Sequence, residues 1–230
     1  MGGAVNLLAI ETATPACGVG VRTSGGVELA RVVDENRRHT EVLTLAMEEL
    51  LVECGLSARD IARVVVDRGP GLFTGLRVGI ATANAFAQAI GCGLVSVTSL
   101  ELLAHGAHGA GVRGTLVAGV DGRRGEIFVQ TFSLAEEVEA ISEPAVALPR
   151  DVVIRWATNG AAVTFTGDGV ERYSSDFCAV PNAEVFAQSV PPVHAALQLG
   201  SLREAEGSVT PLYLREADAV ANFTTRERPR

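Results

Sequence analysis

Aromatic residues are scarce in this chain. Eight Phe, two Tyr and one Trp make up 5% of 230 residues, while hydrophobic residues reach 47%. The core is therefore aliphatic and alanine-rich. Apolar runs are short as well. None approaches the roughly 18 residues of a membrane span, and the N-terminus lacks the charged and apolar regions of a signal peptide. The expectation is a cytoplasmic protein that does not enter a membrane. The four cysteines, Cys17, Cys54, Cys92 and Cys178, are far apart and form no C-x-x-C. That excludes a zinc ribbon or a redox pair and predicts reduced, half-buried thiols. Positive charge is outweighed, with a net charge of −8 and scattered arginines. Gripping nucleic acid unaided needs a basic stripe, which is absent. No Gly-Lys-Ser/Thr ending, H-E-x-x-H or G-x-S-x-G occurs either.

The most informative stretch runs from Val64 to Gly79 (VVVDRGPGLFTGLRVG). It reads as strand, tight turn and helix. Three β-branched valines suit a buried strand. Gly69-Pro70-Gly71 breaks it, with Gly71 expected at positive φ. Thr74 is the candidate N-cap of a helix running from Leu76 to Ile90. Such a junction aims free N–H groups and a helix dipole at one spot, where a phosphate or carboxylate could sit. The blander reading is that the glycines only let helix and strand pack closely. At this stage both stay open.

Around this stretch the chain reads as α/β. Asn6 to Thr12, Cys17 to Arg22 and Val27 to Val33 predict an antiparallel meander whose first turn carries Glu11, Thr12 and Thr14. A helix from Thr40 to Cys54 buries Leu43, Met47, Leu50, Leu51 and Cys54 on one face, with Val42, Leu45 and Val52 as a second apolar stripe. The helix after the glycine turn has Leu76, Ile80, Ala83, Ala87 and Ile90 on one face and Val78, Thr82, Ala85 and Ala89 on another. Leu94 to Ser99 reads as a strand and Leu100 to His105 as a short helix. Gly106 to Gly114 is glycine-rich and reads as a boundary, with His105 and His108 in a solvated linker. Thr115 to Val120 then ends on Asp121 as Asn6 to Thr12 ends on Glu11, a weak internal repeat. Glu126 to Leu134 and Val163 to Thr166 are strands, while Glu184 to Ser189 and His194 to Glu206 read as helices. Pro211 to Arg215 is a short extended segment, and Thr224 to Arg230 a disordered tail. His39 reads as a capping residue, and Cys17 has no local base.

The segments Ile10-Glu11-Thr12-Ala13-Thr14-Pro15, His39-Thr40-Glu41, Gly69 to Gly79, Val97-Thr98-Ser99-Leu100-Glu101, Asp121 to Glu126 and Pro211-Leu212-Tyr213-Leu214-Arg215 resemble the bacterial TsaB family in order and spacing over nearly the whole chain. Glu11 stands where the family often has Asp, and Leu72 where it often has Ser. The resemblance implies an α/β, two-lobed actin/sugar-kinase/Hsp70-like (ribonuclease H-like) fold with mixed sheets flanked by helices. One lobe would span 1–109, completed by 209–230, and a reduced lobe 110–208. TsaB proteins are non-catalytic paralogues of TsaD, which transfers threonylcarbamoyl to the adenosine beside the anticodon of tRNAs reading codons that begin with A. The resemblance implies a TsaD-type partner, a TsaE-type ATPase, a homodimer when alone, and tRNA met only through the complex.

It also implies no catalytic residue, metal or cofactor in this chain. Aligned by the preceding strand, the H-x-x-x-H metal pair of TsaD falls on Ser99 and Leu103, and leucine cannot ligate a metal. His105 is two residues away, a turn of about 200° around a helix. The second stripes, Val42, Leu45, Val52, Val78, Thr82, Ala85 and Ala89, become the expected partner or dimer interface. Glu11, Thr12, Gly69, Gly71, Thr74 and Gly75 become a candidate vestigial anion turn. The competing expectation is a stand-alone nucleotide-dependent or metallopeptidase-like enzyme of the same fold.

Overall fold

The computed structural model describes residues 5–33 and 39–215. Strands β1 (Leu7–Glu11), β2 (Cys17–Arg22) and β3 (Glu28–Val33) form the antiparallel meander. β4 (Arg63–Asp67) and β5 (Gly93–Val97) add to it in parallel, giving the order β3-β2-β1-β4-β5. Parallel strands need crossovers, supplied by α1 (His39–Glu53) before β4 and α2 (Phe73–Ile90) between β4 and β5. β1 is buried along its whole length because both faces of the sheet are covered. The period-2 alternation of side chains divides them between two cores. Leu8, Ile10, Val64 and Val66 pack with α1 and α2 on one side. Leu7, Ala9, Val65, Val95 and Val97 face α7 (Val193–Leu202) on the other. Glycines permit this second contact: a Cβ on Gly18 or Gly20 would press on Val193, and one on Gly200 on Val65. Hence α7, which sequence reading leaves in the second lobe, packs against β1, β2, β4 and β5.

The second sheet contains β6 (Gly114–Arg123), β7 (Glu126–Leu134), β8 (Val138–Ala140), β9 (Ala145–Ala147), β10 (Val163–Thr166) and β11 (Ala183–Phe186). Its order, β8-β7-β6-β10-β11 with β9 on β7, repeats that of the first sheet. A meander is again extended by parallel strands. The internal repeat seen in two carboxylate-ended strands is thus a repeat of a whole topology, and the molecule is the two-lobed, actin-like fold. The aromatic residues are concentrated here. The rings of Phe165 on β10 and Phe177, the last residue of α6 (Ser174–Phe177), have centroids 4.8 Å apart in a core shared with α4 (Pro149–Asn159) and α5 (Asp168–Arg172).

Between the sheets lies α3 (Ser99–Gly109). Leu102 joins the first-lobe core, while Leu100, Leu103, Ala104 and Ala107 pack on the second sheet. The short helix expected to end at His105 instead runs to Gly109, passing through Gly106. A Cβ there would sit 2.6 Å from Pro192 Cγ, so glycine is used for close packing and His105 is half-buried. Glu184 to Ser189 is another correction. Ala183–Phe186 is a strand paired in parallel with β10, the partner strand overriding local helix propensity. β8, β9 and α4 lie where the sequence carried no assignment. Arg37, Arg38 and the proposed tail from Thr224 fall outside the described residues. Among the described residues no helix is long and apolar enough to cross a membrane.

Candidate functional site

Glu11 and Asp67 end β1 and β4, neighbouring parallel strands, and both are fully buried. Glu11 Oε1 accepts from the Ala13 N–H at 2.6 Å. Asp67 Oδ1 accepts from the Gly69 N–H at 2.7 Å and the Ser99 hydroxyl at 2.9 Å. Among the described residues Glu11 Oε2 and Asp67 Oδ2 find no hydrogen-bond partner, nor do Thr14 Oγ1 and Arg68 Nε. Burial, then repulsion from Asp67, raises the Glu11 carboxyl well above its usual range. Burial pushes Asp67 up to about 7. In the second lobe, burial lifts Asp168, whose charge also acts on Glu11, to about 6, although its Oδ1 accepts the Asp121 N–H at 2.9 Å. This cluster stays neutral more readily than ordinary carboxyls, and on ionising it would repel an anion rather than attract one.

The glycine turn is filled from within the chain. The Leu72 N–H donates to Ala13 O at 2.6 Å, and the Thr12 hydroxyl to Gly75 O at 2.9 Å. Side chains at Gly71, Gly75 and Gly79 would run into Ala13 O, Thr12 O and Thr12 Oγ1. The turn and the β1–β2 loop therefore touch backbone to backbone. Two expectations change here. Gly71 is not in the left-handed region, whereas Gly69 is, at φ +102°; Gly71 is required by proximity to Ala13. Thr74 is exposed inside the first turn of a helix that starts at Phe73, with Leu72 in the cap position and no side-chain cap. His39 does not cap α1: its Nε2 lies 3.0 and 3.1 Å from Thr14 O and Ala16 O, tying α1 to the same loop.

At the positions where the resemblance places a metal pair, Ser99 bonds Asp67, and Leu103 of α3 is fully buried against the second sheet. His105 has its pKa lowered, by burial first. Among the described residues no group of three His, Cys, Asp or Glu could hold a metal ion. The Thr98-Ser99-Leu100-Glu101 motif forms a junction instead. Thr98 and Glu101 close a capping box, and Glu101 also takes both guanidinium nitrogens of Arg203, at 2.9 and 2.8 Å.

On the outside, α1 and α2 lie side by side. Leu45 is 58% and Val52 71% exposed; Ala85 and Ala89 are exposed and Val78 and Thr82 half-buried. Val42 corrects the expected stripe. It is buried in the core, because Val42, Ala46 and Leu50 repeat every fourth residue on the inner face. Sequence reading missed one feature of this region. Phe73 at the start of α2 stacks near Tyr213, with ring centroids 5.4 Å apart. Arg77 covers the Phe73 ring at 3.8 Å and donates to the Tyr213 hydroxyl at 3.1 Å. The Pro211–Arg215 motif was visible, but its partner on α2 was not.

A family model described as TsaD, tRNA N6-adenosine threonylcarbamoyltransferase, matches residues 30–223. The chain is similar to the Escherichia coli tRNA threonylcarbamoyladenosine biosynthesis protein TsaB, with 31% identity over 165 residues, 68% of this chain and 71% of that one. It is 34% identical over 215 residues to an uncharacterized Mycobacterium tuberculosis protein, covering 93% of each. A crystal structure of an uncharacterized Pseudomonas aeruginosa protein with similarity to the peptidase YeaZ superposes with a TM-score of 0.80 at 27% identity, over 92% of this chain and 100% of that one. With the repeated β3-β2-β1-β4-β5 topology and the matched motifs in place, the chain belongs to the TsaB family.

Proposed function

We propose that this chain is a non-catalytic scaffold subunit that binds and activates a TsaD-type protein for threonylcarbamoyl transfer to the adenosine beside the anticodon of tRNAs reading codons that begin with A. The observation that carries this reading is the outer face of α1 and α2. Leu45 and Val52 are more than half exposed, next to a stripe of small residues at Ala85 and Ala89. A pair of helices from another protein can approach such a stripe closely, and apolar surface of this kind marks association sites. A second copy would use the same face when the partner is absent. Serine and leucine at the metal-pair positions, with Leu103 committed to the core, support a role without chemistry of its own. The setting is the cytoplasm, a TsaE-type ATPase joins the pair, and tRNA is met through the complex.

Ala85→Arg tests the reading. In a dry interface the introduced charge lacks a partner and should abolish capture. On a solvated surface it should cost almost nothing. Pull-down with a TsaD-type protein and size-exclusion chromatography report binding, and circular dichroism reports the fold. A folded Ala85→Arg protein that still dimerises and still captures its partner refutes the assignment of this face.

A further inference from the structure

We propose that residues 203–215 are a latch that sets the angle between the two lobes and ties it to the first turn of α2, with Leu214 and Arg215 as its releasable end. The chain itself crosses between lobes at 110–113 and 187–192. The segment after α7 makes a third, non-covalent crossing with closely spaced anchors. Arg63 Nη1 donates to Gly200 O and Arg203 O at 3.1 and 2.7 Å. At the open edge of β5, the Glu206 N–H donates to Leu94 O at 2.6 Å. Glu206 Oε1 accepts from the Ser96 N–H at 2.9 Å and its hydroxyl at 2.6 Å. Val209 is buried in the first-lobe core; the Asn84 amide donates to its carbonyl at 3.0 Å and accepts from its N–H at 3.1 Å. The Leu212 N–H bonds Arg68 O at 2.8 Å, beside the glycine turn. Tyr213 then meets Phe73 and Arg77 of α2. Leu214 packs on the second-lobe core. Arg215 reaches Gly122 O at 3.3 Å, pairs with Glu126, and lies 5.9 Å from the Phe128 ring.

The spacing leaves little slack. Five peptide steps separate Val209 in one core from Leu214 on the other, which allows at most about 18 Å of extended chain. Opening the lobes therefore requires one anchor to give way. The anchors differ in strength. Val209 is buried and bonded through both backbone groups, whereas Arg215 and Glu126 are 29% and 34% exposed at the rim, where ion pairs are weak. The second-lobe end releases first. Tyr213, itself 44% exposed, adjoins that end and packs on Phe73, which is 39% exposed. A contact at the start of α2 that draws Tyr213 or Phe73 away therefore pulls directly on Leu214 and Arg215. This inference does not depend on what binds the outer face of α1 and α2.

The test uses the full chain with Cys54, Cys92 and Cys178 changed to serine and spin labels on cysteines placed at Ser24 and Thr158, one on each lobe. Cys17 stays, because its buried thiol is pushed up to about 12 and escapes labelling. Pulsed electron–electron distance measurements on Arg215→Ala should reveal a second interlobe distance population, and amide exchange at Leu212 should accelerate about tenfold or more. Glu126→Gln, which removes the charge without shortening the side chain, should do the same and is read if Arg215→Ala does not fold. Tyr213→Ala touches only the first lobe, yet should also broaden the interlobe distances. Parent-like distances in Glu126→Gln and Arg215→Ala overturn the latch; parent-like distances in Tyr213→Ala overturn its coupling to α2.

Discussion

Lowering pH should stabilise this protein across a range in which most proteins with paired carboxylates gain nothing. Asp67 is held up to about 7 by burial, whereas an aspartate in the unfolded chain titrates near about 3.9. Between these values the folded protein keeps a proton that the unfolded chain has released. The contribution is therefore fully present below the unfolded pKa and is lost as pH rises through the folded one. The single-site linkage expression gives a loss of about 2 kcal/mol between roughly pH 5.5 and 8. Glu11 and Asp168, both raised chiefly by burial, act in the same direction. Urea unfolding at several pH values, with the slope m held constant, measures the trend. Asp67→Asn keeps an oxygen for the Gly69 N–H and the Ser99 hydroxyl but cannot titrate, so the fall should shrink by about 2 kcal/mol. Stability that is flat or rising from pH 5.5 to 8 in the parent would refute the buried, protonated state of Asp67.

Two further outcomes concern packing and thiols. Gly71→Val should lose roughly 1–3 kcal/mol, because its side chain must displace Ala13; thermal melting checks this, and an unchanged midpoint would mean that the turn is looser than described. Of the four free cysteines, exposed Cys178 should react readily with a maleimide in the native state and buried Cys17 only on unfolding, as mass spectrometry of the modified peptides will report.

Much of the fold was legible because its signals are local. Continuous apolar runs ending on Glu11 and Asp121, the glycine turn before α2 and the double stripes of α1 and α2 each announce an element within a dozen residues. The matched blocks from Ile10 to Arg215 carry the family in the same way. What the sequence alone could not settle depends on neighbours distant in the chain. Gly106 reads as a linker until Gln188 and Pro192 are seen pressed against it. Ala183–Phe186 reads as helical until β10 lies beside it. Gly71 reads as a positive-φ residue until Ala13 is found where its side chain would be. Val42 reads as an outer residue until the inner face of α1 is aligned on the sheet. The sequence by itself determined β1 to β5, α1 and α2 of the first lobe, and it puts Ser99 and Leu103 where the family resemblance places a metal pair. The tertiary structure alone decided that Glu11 and Asp67 share a buried site, that the glycine turn is closed by the β1–β2 loop, and that residues 203–215 bind both lobes. Those outcomes follow from contacts between residues far apart in the chain, which no local pattern encodes.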